Sequence, residues 1–366
     1  MASFRRRRLT RRVFVASLSL PRLVSGEKGE IFPDDRRRYP DPATEFEVLR
    51  LTDPACNSYL PAYYARAVSR RGNFILFACD RPGAFQAFRL ELKTGESRQL
   101  TDAAALDRSS LTLTSDERSF CYFDGASLRL TNLANLRERE VYRTPEGFEP
   151  AGGLCLTEDD LYALFVEKRE RTHRIQLLRL ARGTATTVLE ADEILADPLP
   201  RPRRAGILYR RDGGLWLVNF DGRDNRRLKT APGACGPAMW AADGRTVLYL
   251  NFPEDRTKLN NLREHTPDSN ADVLIANTTQ FVHFGRNADA SVFIGASGSK
   301  ASPHLLLLLR VTRREFTLAE HRANDPKIVA PIFSPSSQRI YFESDRHGKP
   351  AIYTMSVERL VEPTEQ

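Results

Sequence analysis

The sequence predicts an all-β fold, a seven-bladed β-propeller built from four-stranded antiparallel blades. Three observations predict it. A strand–turn–strand phrase recurs seven times, at intervals of 40–48 residues. Glycine and proline are plentiful, 21 and 22 residues, which supplies the turns that many short strands need. An outer-strand phrase missing from the last repeat stands instead near the N-terminus. A period in the forties with four strands per unit reads as a propeller for a physical reason. One blade cannot bury both of its faces, whereas blades stacked around an axis can.

The phrase is clearest near the two ends of the chain. Residues 333–357 read FSPSSQRIYFESDRHGKPAIYTMSV. Ile340, Tyr341 and Phe342 give a β-branched and aromatic run, Asp345-Arg346-His347-Gly348 a turn, and 351–357 an alternating strand. Residues 69–92 repeat the pattern with Asp80-Arg81-Pro82-Gly83 as the turn. The Asp-Arg turns read as structural, with aspartate accepting backbone hydrogen bonds in the turn and glycine taking positive φ. Between these copies, Thr114, Thr157, Arg201, Ala241 and Arg286 occupy the pivot position held by Ser69 and Ser334, five or six residues ahead of an apolar centre. Thr94-Gly95 and Asp221-Gly222 mark outer hairpins. The five leucines Leu305 to Leu309 suffice for one buried strand and fall far short of the ~20 apolar residues of a membrane span.

The last copy stops after its third strand. Residues 45–52, EFEVLRLT, match the outer-strand phrase that ends in Gln99-Leu100-Thr101. Residues 46–51 are therefore expected to complete the last blade and close the ring, removing a free edge. The resulting division is an export-type segment over 1–26, an extended, surface-draped lead-in over 27–44, the propeller over 45–358 and a tail over 359–366. Segments 102–111, 189–204 and 252–279 read as loops, the last with a short helix marked by Leu259, Leu262 and Val273.

The net charge of +8 does not point to nucleic acid. Residues 1–26 hold seven arginines and no acidic residue, and the remainder carries 48 basic against 47 acidic side chains. Within that segment Leu9-Thr10-Arg11-Arg12-Val13-Phe14-Val15 resembles a twin-arginine export signal and implies a periplasmic or extracellular protein; a plain basic tail on a cytoplasmic protein is the other reading. The cysteines are Cys56, Cys79, Cys121, Cys155 and Cys235, an odd number with no zinc-like spacing. Cys79, Cys121 and Cys155 sit inside expected strands, where a free thiol acts as a small hydrophobe.

The repeats, the Asp-Arg turns and the export-type segment resemble the TolB-related propellers, and within them most of all the oligogalacturonate lyase family. The resemblance spans roughly residues 45–358 and is sharpest at 235–244 (CGPAMWAADG) and 333–353. It implies β-elimination on a uronate. A divalent cation such as manganese would acidify the proton alpha to the carboxylate, and a histidine would remove it. It also implies where those groups fall. A Gln-x-x-His-x-His ligand run lands on Pro326, Ile328 and Ala330, and the base on Pro237. His283 alone keeps a metal-ligand match, and the family arginine lies near Arg210 or Arg211.

Residues that remain able to act gather in the C-terminal third. Gln280, His283, Asn287, His321, Arg322 and Asp325 precede the inner strands of the last two blades and are expected to share the channel face. Tyr63 and Tyr64 precede the first inner strand and offer a sugar-stacking surface. Lys258, Arg263 and Arg322 favour an anionic ligand. The functional expectation is an exported lyase-like propeller that has lost metal-dependent elimination and binds a uronate-type oligosaccharide or a protein at its channel face. An active oligogalacturonate lyase and a TolB-like envelope scaffold are the alternatives; the latter lacks any sign of TolB's N-terminal domain.

Overall fold

A computed structural model describes residues 26–362 apart from position 256. The first 25 residues, with the twin-arginine-like pattern, and the last four lie outside the described residues. Seven antiparallel sheets follow one another along the chain. Their inner strands begin with Ser58–Tyr59, Thr112–Leu113, Cys155–Leu156, Leu195–Pro200, Ala234–Trp240, Phe281–Arg286 and Ile332–Phe333. The seventh blade takes its outer strand from Glu47–Arg50, where Leu49 pairs with Thr354 and Arg50 with Tyr353. The ring therefore closes as the sequence indicates.

Second strands are apolar because each is sandwiched between two neighbouring blades. All six residues of Phe74–Cys79 are buried. Phe74, Leu76 and Ala78 pack toward blade two, while Ile75, Phe77 and Cys79 pack toward blade seven. The leucine run divides in the same way, Leu305 and Leu307 to one interface and Leu306 and Leu308 to the other. A strand covered on both faces shows a continuous apolar run instead of alternation. Seven such clusters fill the seven blade interfaces.

The pivot residues close the first hairpin of each blade. Ser69 Oγ accepts from the amides of Asn73 and Phe74 at 2.8 and 3.1 Å. Thr114 and Thr157 do the same for Ser119 and Tyr162 and donate to Asp116 and Asp159. The Asp-Arg turns differ from expectation. Their aspartates reach across to the segment entering the inner strand. Asp80 accepts from the Asn57 amide at 2.7 Å, and Asp345 from the Asn324 amide at 2.9 Å. Gly83 and Gly348 hold φ of 101° and 136°, as the turns require.

Three segments read as irregular are ordered. Residues 252–279 contain two strands, Asn261–Thr266 and Ala271–Asn277, the outer half of blade five, with no helix. Residues 189–204 contain the inner strand Leu195–Pro200. Its prolines are tolerated because an inner strand is a sheet edge facing the axis, and a bulge separates Ala196 from Leu199. The lead-in supplies a fifth strand to two blades: Ile31–Phe32 pairs with Ser97 and Arg98, and Arg37–Pro40 pairs with Glu47–Arg50. No helix among the described residues is long and apolar enough to cross a membrane.

Candidate functional site

The ring gives two ends to the axis. On the entry end the chain arrives from the previous blade; on the hairpin end each inner strand turns into the second strand. Tyr63 and Tyr64 lie between these ends and inside blade one, after Ser58–Tyr59 and before Phe74–Cys79, not ahead of its inner strand as expected. The inner strand of blade five is bulged at Pro237, so its channel-side backbone has no ladder partner there. Tyr63 fills that role. Its hydroxyl accepts from the Ala238 amide at 3.1 Å and donates to the Ala238 carbonyl at 2.9 Å. The Tyr63 ring meets Tyr64 edge-on at 4.9 Å and His283 edge-on at 4.8 Å. Blades one, five and six are thus joined across the axis by one tyrosine.

The segment that presents these rings is anchored at both sides. The Leu60 amide donates to the buried Glu343 carboxyl of blade seven at 2.6 Å. The Ala62 amide donates to the Ser109 carbonyl of blade two at 3.2 Å. Burial pushes Glu343 up to about 8, with the Leu60 hydrogen bond and the more distant Arg108 opposing. Burial raises both tyrosines, and Asp197 adds to the effect. His283 is held down at about 4, first by burial and also by the Arg210 guanidinium, against the opposing pull of the Phe284 backbone carbonyl. It is neutral at physiological pH, and its buried Nδ1 has no hydrogen-bond partner. Arg210 is itself bound to Asp197 through Nε at 2.7 Å.

On the hairpin side of the tyrosines lies a cavity of about 1280 Å³. Tyr63 and Tyr64 form its floor; Arg66, Arg201, Arg286, Trp240, Tyr162 and Phe333 are among its walls. Arg66 pairs with Asp160, and Arg201 makes a two-pronged contact with Asp268 at 3.1 Å on each arm. Arg286 has no carboxylate partner among the described residues. Its Nε donates to the Trp240 carbonyl at 3.1 Å, and its Nη1 to the carbonyls of Asn287 and Ala288 at 3.0 and 2.8 Å. Burial lowers its pKa, with Asp289 and Asp243 only partly offsetting this. Among the described residues it is a half-buried cation of the cavity that makes no ion pair. Arg201 was legible as an exception at a pivot where serine or threonine recurs, whereas Arg286, aligned to the sixth pivot by its spacing, lies one residue ahead of it, since Asn287 accepts from the Val292 amide there.

The remaining candidates are spread over local structure. His321 is fully buried; its Nδ1 accepts from the Ala323 amide at 3.1 Å, so its Nε2 donates to the Ser297 carbonyl at 3.0 Å. Neither nitrogen keeps a lone pair for a metal or a proton. Asn287 closes the blade-six hairpin through Val292 and Ser291. Arg322 pairs with Glu320, and Asp325 caps the 3-10 turn Pro326–Val329. Gln280 enters blade six at φ 54°. Arg263 is paired with Asp272 at 2.9 Å. The structure brings Tyr63, Tyr64 and His283 together and leaves the others engaged elsewhere.

A divalent cation does not fit the entry side. Pro326 and Ile328 lie in the 3-10 turn, Ala330 follows it in a left-handed conformation, and Pro237 lies on the blade-five edge. None offers a donor side chain. His283 faces the Tyr63 ring and the Arg210 cation. No group of three His, Cys, Asp or Glu side chains suited to a metal occurs among the described residues, whereas such a site usually takes about three protein ligands.

Fold and channel define a TolB-like seven-bladed propeller with a tyrosine floor across its axis. Comparison with known proteins narrows this. The family profile described as oligogalacturonate lyase matches residues 27–174. An oligogalacturonate lyase of Dickeya dadantii (strain 3937) is 25% identical, covering 90% of this chain and 98% of that protein. A solved oligogalacturonate lyase in complex with manganese superimposes with a TM-score of 0.84 at 24% identity, over 90% of this chain and 98% of the other. TolB from Acinetobacter baumannii shares the fold more loosely, with a TM-score of 0.50 at 12% identity over 72% of this chain and 63% of that one. The chain is a lyase-like β-propeller, similar to the oligogalacturonate lyases along nearly its whole length.

Proposed function

We propose that this propeller has lost metal-dependent β-elimination and binds a uronate-type oligosaccharide in its axial cavity. The observation that carries the reading is the state of the entry side. Where the lyase resemblance calls for a base and a ligand run, the chain has Pro237, Pro326, Ile328 and Ala330, and Tyr63 closes over His283. Without a cation to neutralise the carboxylate, the carbon acid is left too weak for an imidazole to deprotonate. The cavity walls support the binding half of the reading. Guanidinium groups suit carboxylates, and the rings of Tyr162, Trp240 and Phe333 suit the apolar faces of sugars. The twin-arginine-like segment supports an exported protein that meets such saccharides outside the cytoplasm.

Calorimetry with trigalacturonate in the presence of a chelator tests this. Binding is expected without any divalent metal, and a neutral galactose oligomer is expected to bind more weakly. Arg286→Gln is expected to weaken the acidic ligand by about 10–100-fold, the scale of a charge-assisted hydrogen bond. Failure of both ligands to bind at millimolar concentration, or binding only with added metal, contradicts the proposal.

A further inference from the structure

We infer that Cys56 and Cys79 are a redox-active pair that closes into a reversible disulfide at the seam where the ring is joined. The inference is independent of what the cavity binds. Residues 51–57 lead from the closing strand of blade seven into the inner strand of blade one, so this short stretch is the covalent seam of the ring. At its end Ser58 pairs with Cys79 in the sheet, and the Ser58 amide donates to the Pro350 carbonyl of blade seven at 2.8 Å. Cys56 lies two residues upstream of Ser58 and packs on the apolar cluster that contains Cys79.

The Asn57 amide donates to the Asp80 carboxylate at 2.7 Å and the Asp80 amide to the Asn57 carbonyl at 3.1 Å, so the residues flanking this clamp, Cys56 and Cys79, come together in one apolar cluster beside Arg81. Arg81 is in turn held by Asp35 and by Asp53 and sits over the Phe32 ring at 5.0 Å. Cys79 accepts from the Ser58 hydroxyl at 3.5 Å. The groups facing Cys56 are thus one thiol, one fixed cation and the Asp53 carboxylate, which partly opposes the cation. The neighbouring Cys79 thiol, aided by Arg81, lowers Cys56 to about 6, while Cys79 is raised. Cys56 is half-buried and Cys79 buried, the arrangement of an attacking and a resolving thiol. The other cysteines differ: burial pushes Cys121 and Cys155 up to about 12 and raises Cys235.

With a low-molecular-weight disulfide as oxidant, the step balances. The Cys56 thiolate attacks one sulfur of oxidised glutathione and releases one glutathione thiolate. Cys79 then loses its proton and attacks the Cys56 sulfur, releasing the second. Two protein thiols are oxidised, two glutathione thiols are formed, and the two protons leave with them. The bridge ties the seam to blade one and raises resistance to unfolding.

The test is treatment of the reduced, folded protein with oxidised glutathione, read by intact mass and peptide mapping. The expected product has lost two hydrogens, contains a Cys56–Cys79 peptide link and is reversed by dithiothreitol. Its denaturant midpoint lies above that of the reduced form. Cys79→Ser is expected to stop at a stable glutathione adduct on Cys56, and Cys56→Ser to remain unmodified. A wild-type protein that stays reduced, keeps the adduct without closing, or cross-links other cysteines overturns the inference. So does an oxidised form whose midpoint is unchanged.

Discussion

Replacing Glu343 by glutamine is expected to stabilise the protein by roughly 3–5 kcal/mol at pH 9 and to change it little at pH 4. Glu343 is buried in the second strand of blade seven, with its Oε1 accepting from the Leu60 amide. Burial raises its carboxyl from 4.5 to about 8. The native state therefore holds this proton more tightly than the unfolded chain. The associated stability is complete below about pH 4.5, falls as pH rises through the window up to about 8, and is absent above it. Glutamine keeps the acceptor for Leu60 and has no charge to bury. Denaturant titrations of both proteins between pH 4 and pH 9 check this. Parallel curves for the two proteins across that range contradict it.

Tyr63→Ala is expected to cost about 3 kcal/mol, the scale of a large-to-small change at an internal ring. It also removes the ring that both contacts His283 and lines the axial cavity. Water reaching the imidazole then returns its pKa from about 4 toward the ordinary value of 6.5. Tyr63→Phe keeps the ring and loses only the hydroxyl bridge to Ala238, for about 1 kcal/mol. Its His283 is expected to stay depressed. Titrating the His283 ring by NMR in the three proteins separates the two contributions. A histidine that titrates alike in all three removes the tyrosine floor from the account.

Much of the fold was legible because the physics of stacked blades writes itself into second strands. Phe74–Cys79, a second strand, and His304–Leu309, the third strand of blade six, carry apolar runs in which alternate residues belong to different interfaces. The outer strands lack that imprint. Asn261–Thr266 reads NLREHT, polar and charged although half of it is buried, which resembles a loop, and Ala271–Asn277 buries only Ile275 and Ala276. Arg37–Pro40 is an arginine-rich edge that ends in proline, a composition that protects a free edge and hides it from pattern reading.

The candidate site was legible in part for a related reason. Tyr63, Tyr64 and His283 were read as lying ahead of inner strands; they lie along them, His283 inside Phe281–Arg286 and the tyrosines after Ser58–Tyr59, which still faces them to the channel. The Tyr63 hydroxyl bridge joins residues 175 apart and depends on a bulge at Pro237, so no local pattern announces it. His321 was read as a channel residue, whereas both of its nitrogens serve backbone groups. Arg201 was visible only as a break in the pivot pattern, where a long cation replaces a short hydroxyl, and Arg286 lies beside the pivot Asn287.

The most direct test of the account is elimination itself: trigalacturonate incubated with saturating manganese and the protein, followed by the ultraviolet absorbance of the unsaturated product. With Pro237, Pro326, Ile328 and Ala330 in place of a base and a ligand run, absorbance is expected to stay at the level of the protein-free control. A steady rise that requires both protein and metal would show that the chain retains metal-dependent elimination, and would contradict the account.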